Sequence, residues 1–138
     1  MNTNYRVHGK FTIRVDGPII ISDVTGPWNK ELVEAWGLQV YPVVKELAAA
    51  GPNAGIAVVH ESMLCPPDAL ASLKLLVQYS ASKMNCASHA IVASRTTAGR
   101  DLLEATFARV YEGVIAYRLF DNLDEALVWS REQVAKAQ

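Results

Sequence analysis
Val114-Ile115-Ala116-Tyr117-Arg118-Leu119-Phe120, running straight into Asp121-Asn122-Leu123-Asp124-Glu125-Ala126-Leu127-Val128-Trp129, is the stretch that decides the fold. Its first seven residues alternate as a strand does, beginning near Val114. Asn122 can cap a helix, with Glu125 three residues on as in a capping box. Leu123, Ala126, Leu127, Ser130 and Val134 then fall on one inward face. Strand, cap and amphipathic helix without a gap form the unit from which α/β sheets are built, and the same unit recurs upstream.

Residues 90–93 predict a buried strand that leads through Ser94-Arg95-Thr96-Thr97 into a helix bearing Leu103, Phe107 and Val110 and ended by Gly113. Before it, Pro66-Pro67-Asp68 opens a helix whose Leu70, Leu73, Leu76, Val77 and Ser80 share a face. The uninterrupted apolar run Ile56-Ala57-Val58-Val59 predicts a strand covered on both faces. Further upstream, Leu32, Trp36, Val40, Val43, Val44 and Leu47 recur at helical spacing between Gly26-Pro27 and Gly51-Pro52. Pro42 lies inside that pattern and removes one backbone donor, which predicts a kink or break between Gly37 and Tyr41. Residues 10–15 alternate, Asp16-Gly17 turns, and 18–24 form the second strand of a hairpin. The expected fold class is α/β: a single domain over 10–138 after an N-terminal arm at 1–9, in the order ββαβαβαβα. The sheet is five-stranded and mostly parallel with an antiparallel first strand, and the helices pack on it.

Composition narrows the function classes. The chain has 138 residues, 51 % of them hydrophobic and 20 % charged, with 13 basic against 14 acidic side chains. That length suits one domain, and the near-zero net charge argues against a nucleic-acid partner. No uncharged stretch approaches the ~20 apolar residues of a membrane span, and residues 1–9, with His8 among them, lack an apolar signal core. A cytoplasmic location is expected. Cys65 and Cys86 show no framework spacing and are read as reduced thiols.

The ending also carries a resemblance. Phe120-Asp121, Glu125-Ala126 and Trp129 fit the F-D-x-x-x-E-A-x-x-W pattern, and with the element order over 10–134 the chain resembles the STAS domain, more closely its SpoIIAA-like branch, which is grouped with SEC14-like lipid-exchange domains. The resemblance implies a non-enzymatic regulatory or protein-interaction module. It also implies that Ser62, in the turn His60-Glu61-Ser62-Met63, matches the serine that kinases phosphorylate in STAS regulators. This chain departs from the usual Asp-Ser-Ser-Gly turn: His60 and Glu61 replace its first two residues, Met63 removes the glycine, and residues 64–67 delay the helix. A phosphate there would add about −1.5 to −2 charges at a helix entrance. The lipid-exchange kinship implies the alternative, a carrier or sensor of a small apolar or anionic ligand.

Candidate binding residues gather where strands end. Asp23, Thr25 and Trp28 follow the second strand, His60, Glu61, Met63 and Cys65 the third, and Ser94, Arg95, Thr96 and Thr97 the fourth; all three loops are expected on one side. Hydroxyls with Arg95 and Arg100 at a helix N-terminus suit an anion, but the simpler reading is that Thr96 or Thr97 caps the helix while both arginines are solvated. A pocket lined by Trp28, Tyr41 and Met63 is a further expectation. An enzyme ranks third: His60, Glu61, Ser62 and Cys65 offer acid, base and nucleophiles, but no Gly-x-Ser-x-Gly elbow or nucleotide loop is present, so no catalytic residue is assigned. Cys86 and His89 are two metal-ligand types, placed before the fourth strand and so about five residues, at ~3.3 Å each, from His60 and Cys65. No metal and no cofactor are expected. Expected partners are a protein, a second copy of the chain as a homodimer, or a small-molecule or lipid ligand.

Overall fold
The computed structural model describes residues 9–138, so the expected arm, with His8, lies almost wholly outside the described residues. The strands are β1 (Lys10–Asp16), β2 (Ile19–Thr25), β3 (Asn53–His60), β4 (Cys86–Val92) and β5 (Ala116–Phe120). The helices are α1 (Lys30–Ala50), α2 (Pro67–Lys83), α3 (Arg100–Tyr111) and α4 (Leu123–Ala137). Sheet order follows chain order, β1-β2-β3-β4-β5. The first pair is antiparallel and the other three are parallel, with Ile21 opposite Ile56, Ile56 opposite Ala90 and Ala90 opposite Arg118. This is the expected mixed α/β sheet.

Side-chain alternation divides the molecule into two layers. Ile19, Ile21, Ala54, Ile56, Ala90, Val92 and Phe120 point to one face, where Ala126 and Val134 of α4 cover them. Val24, Val59, Ile91 and Ala93 point to the other face, against Leu32 and Val33 of α1, Leu73 and Val77 of α2, and Phe107 of α3. Each buried aliphatic of this kind contributes about 1.5–3 kcal/mol through loss of water contact. Neighbouring parallel strands joined by right-handed crossovers put α1, α2 and α3 on one face, and α4, which follows the last strand, is free to close the other. Asn122 accepts from the Glu125 N–H at 3.0 Å, and Asn29 caps α1 through the Leu32 N–H at 2.9 Å.

Several expected boundaries need correction. Helix α1 is continuous through Pro42; the carbonyl that Pro42 leaves without a donor belongs to Leu38, whose side chain is 79 % exposed, so water can take the bond and no break is required. β5 starts at Ala116 because the Val114 and Ile115 amides bond back to the Tyr111 carbonyl and finish the turn after α3. β4 starts at Cys86, so Cys86 and His89 lie inside the strand rather than ahead of it. Helix α3 starts at Arg100 with Gly99 as its cap, in a left-handed conformation at φ 79°, and neither Thr96 nor Thr97 caps it.

Candidate functional site
The three loops at the C-terminal edge of the sheet are tied to one another by backbone bonds. The Gly26 amide donates to the His60 carbonyl at 3.1 Å, Trp28 to Leu64 at 2.8 Å, Met63 to Ala98 at 2.8 Å and Ala98 to Glu61 at 3.2 Å. Ser62 and Ala98 form an isolated parallel bridge. Ser62 is buried, and its hydroxyl oxygen accepts from the Leu64 amide at 3.1 Å, so a kinase would have to open this lacing to reach it. Met63 is fully buried and Cys65 nearly so; burial pushes the Cys65 thiol up to about 12, with Asp68 adding to the effect. A thiol held protonated is a poor nucleophile.

Around this edge the polar candidates satisfy one another. Asp23 pairs with Arg14 at 2.5 Å and with His60 Nε2 at 3.0 Å, while Thr25 lies opposite His60 in the strand register. Ser94 Oγ lies 3.2 Å from the Thr96 hydroxyl and 3.1 Å from that of Thr97. Arg95 and Arg100 converge on Asp121 at 3.2 and 2.7 Å. Arg100 is buried and also donates to the Ala93 carbonyl at 2.7 Å, and its bond to Asp121 holds that carboxyl below the usual range. The two arginines expected to meet an external anion therefore already share an internal one.

The larger opening lies inside the domain, between the sheet and helices α1 and α2. It encloses about 810 Å³ of empty space, its open mouth and the adjoining solvent included. The floor is low because the strands carry small residues there: Ser22 on β2, Gly55 and Ala57 on β3. Leu32, Val33, Trp36 and Val40 of α1 and Leu73 of α2 form the roof, and Trp28 stands in the wall. Trp36 Nε1 donates to Ser22 Oγ at 2.8 Å, and Trp28 Nε1 is buried without a hydrogen-bond partner among the described residues. A smaller cleft of about 330 Å³ shares Trp36, Val40, Val44 and Ser80 with it and reaches outward between α1 and α2 to Tyr41 and Tyr79. The helices meet closely there because position 37 has no side chain; a Cβ on Gly37 would come within 2.9 Å of Leu76 Cδ1.

His89 enters the cavity from β4, beside Gly55. A Cβ on Gly55 would sit 3.0 Å from both Cδ2 and Nε2 of that ring, so the glycine is what gives the imidazole its place. His89 Nδ1 lies 3.3 Å from the Tyr111 hydroxyl, and the Tyr111 ring stacks on Tyr117 with centroids 4.5 Å apart. Burial holds His89 down at about 4, so it is neutral at pH 7, and pushes both tyrosine hydroxyls up.

The expected trio of pocket residues does not meet. Trp28 lines the cavity, Tyr41 lines the adjoining cleft, and Met63 is packed in the core beneath the loops. Sequence reasoning missed His89, Gly55 and Ala57 as cavity residues. The available signal was the pair of small residues at alternate positions of an otherwise branched-aliphatic central strand, which leaves a sheet face without bulk to fill it.

No family model matches this chain, and no curated protein does. Among solved structures it is similar to a protein from Shewanella loihica PV-4, described as an uncharacterized member of the DUF3478 family with a SpoIIAA-like fold. The two are 20 % identical with a TM-score of 0.56, over 94 % of this chain and 98 % of that one. At that identity the likeness shows the fold.

Proposed function
Starting from a SpoIIAA-like fold, we propose that this chain is a non-enzymatic binding module, a carrier or sensor that holds a small apolar molecule between its sheet and helices α1 and α2. The observation that carries the reading is the cavity itself: it is lined mainly by aliphatic and aromatic side chains, is open at one side, and has a few polar groups converging on it. A well-packed domain leaves few voids larger than a water molecule, and here the small residues lie together on adjacent strands beneath two helices. The buried thiols of Cys65 and Cys86, both pushed up to about 12, support a role without covalent chemistry.

Native and denaturing mass spectrometry on the chain purified from its own source tests this. The expected result is an added mass in the native spectrum only, lost in Ala57→Phe, which fills the floor. A bare mass in both spectra, together with no response of Trp28 and Trp36 fluorescence to added apolar compounds, refutes it.

A second reading, docking of a protein partner at the Ser62 edge, is favoured by exposed apolar side chains there. Leu64 is 44 % and Leu102 75 % exposed, and Leu64 packs over Gly99 at the start of α3. Phosphorylation of Ser62 would act on this edge by opening the bridge to Ala98. A phosphate that survives denaturation and maps to Ser62 is the result expected of that reading, and its absence from protein isolated under phosphatase inhibition counts against it.

A further inference from the structure
Among the described residues, the cavity lining contains no lysine, arginine, aspartate or glutamate. A charged group entering it would give up its hydration without meeting a counter-charge, which costs far more than an apolar contact returns. Several polar groups of the lining are already engaged. Ser22 accepts from Trp36, and the Asn53 amide donates to the Met84 carbonyl at 2.7 Å. Trp28 Nε1 also lacks a partner among the described residues but can only donate, whereas His89 can donate or accept: one ring nitrogen lies against Tyr111, and Nε2 lies over Gly55 with no partner among the described residues.

We propose that the cavity selects an apolar alcohol, a molecule with a single uncharged hydroxyl head, and that His89 Nε2 is the group that receives it. The choice of an alcohol follows from the tautomers. If the Tyr111 hydroxyl donates to Nδ1, Nε2 carries the proton and donates to the ligand; if Nδ1 donates to Tyr111, Nε2 accepts. A hydroxyl meets either arrangement, whereas a carbonyl or ether meets only the first. A carboxylate, a phosphate or an ammonium would bring an uncompensated charge. The roof of Leu32, Val33 and Val40 takes the hydrocarbon part, with Trp28 and Trp36 as reporters in the walls. This inference rests on the proposed binding function and states the chemistry of its ligand.

The test is a fluorescence titration of the full chain at pH 7.5 with decan-1-ol, sodium decanoate and decane. Decan-1-ol should bind at least tenfold tighter than decanoate. Its advantage over decane should be about fivefold, the size of one net hydrogen bond. His89→Phe should abolish that advantage, so that decan-1-ol and decane bind alike, and His89→Gln, which keeps a donor and an acceptor, should retain it. Decanoate binding as tightly as decan-1-ol overturns the proposal on the native protein alone, whether or not the variants fold. Equal weakening of decan-1-ol and decane by His89→Phe overturns the role of Nε2. If none of the three compounds binds, the carrier reading falls and the alcohol with it, whereas binding without selectivity leaves that reading standing and removes only the inference drawn from His89.

Discussion

Neutral His89 inside the domain ties stability to pH in a direction that can be worked out in advance. The unfolded chain returns this imidazole to its ordinary value of 6.5, while burial in the folded state lowers it to about 4. Between those values the unfolded state binds the extra proton, so stability falls as the pH drops through 6.5 and levels off below about 4. At pH 5 the linkage amounts to about 2 kcal/mol relative to pH 7.5. That figure is a ceiling, because the ring is only partly buried and borders the open cavity. The groups packed nearest it, Tyr111, Tyr117 and Cys86, stay protonated throughout this range because burial raises all three. Urea unfolding at pH 7.5 and pH 5.0 on the wild type and on His89→Phe isolates the effect, since exposed carboxylates and His60 cancel in the comparison. The wild type should lose up to about 2 kcal/mol more than the variant. An identical loss in both would refute the reasoning that His89 is held neutral by its surroundings.

Three further outcomes follow from the packing. Arg100→Ala removes a buried guanidinium that holds the Ala93 carbonyl and Asp121; because Asp121 is half exposed, the loss should sit near the lower end for a buried pair, about 2 to 3 kcal/mol in urea at pH 7. Asn122→Ala deletes the α4 cap and should cost about 1 kcal/mol, read as a lower melting temperature with little change in overall circular dichroism. Ser62→Asp puts a carboxylate where the hydroxyl now accepts from the Leu64 amide, under the bridge to Ala98. It should destabilise the chain by about 2 kcal/mol or more; an unchanged melting temperature would mean that the loop opens freely and that Ser62 is more accessible than its packing indicates.

Much of the architecture was readable because it depends on local periodicity. The hairpin at Asp16-Gly17, the caps at Asn122 and the inward faces of α2 and α4 all follow from spacing that involves neighbours within about two turns. The errors share another cause. Pro42 was expected to kink or break α1, and no break occurs, because the hydrogen bond it removes is lost at an exposed position and packing of Leu32, Val33 and Val40 holds the helix together. Either Thr96 or Thr97 was offered as the α3 cap on residue type, whereas Gly99 holds that position and Arg100, at the first helical residue, bonds to the Ala93 carbonyl and Asp121. The cavity was not readable because it is a gap between elements. Residue sizes are written in the chain, but whether α1 and α2 descend to fill the space over Gly55 and Ala57 is decided by contacts at their ends, including the close approach at Gly37 and the lacing at Trp28.

Because the five described strands lie in the sheet in the order in which they are made, a chain emerging from the ribosome can add each one to an edge already formed, without prising apart a finished pair. The cost falls on the opposite face. Ile19, Ile21, Ile56, Ala90 and Val92 wait for α4, which follows every strand. Until that helix arrives, the nascent sheet displays a continuous aliphatic surface of the sort that chaperones bind and that sticks to its like. A chain stalled or truncated after β5 should therefore fail through aggregation, even with every strand and the whole cavity present.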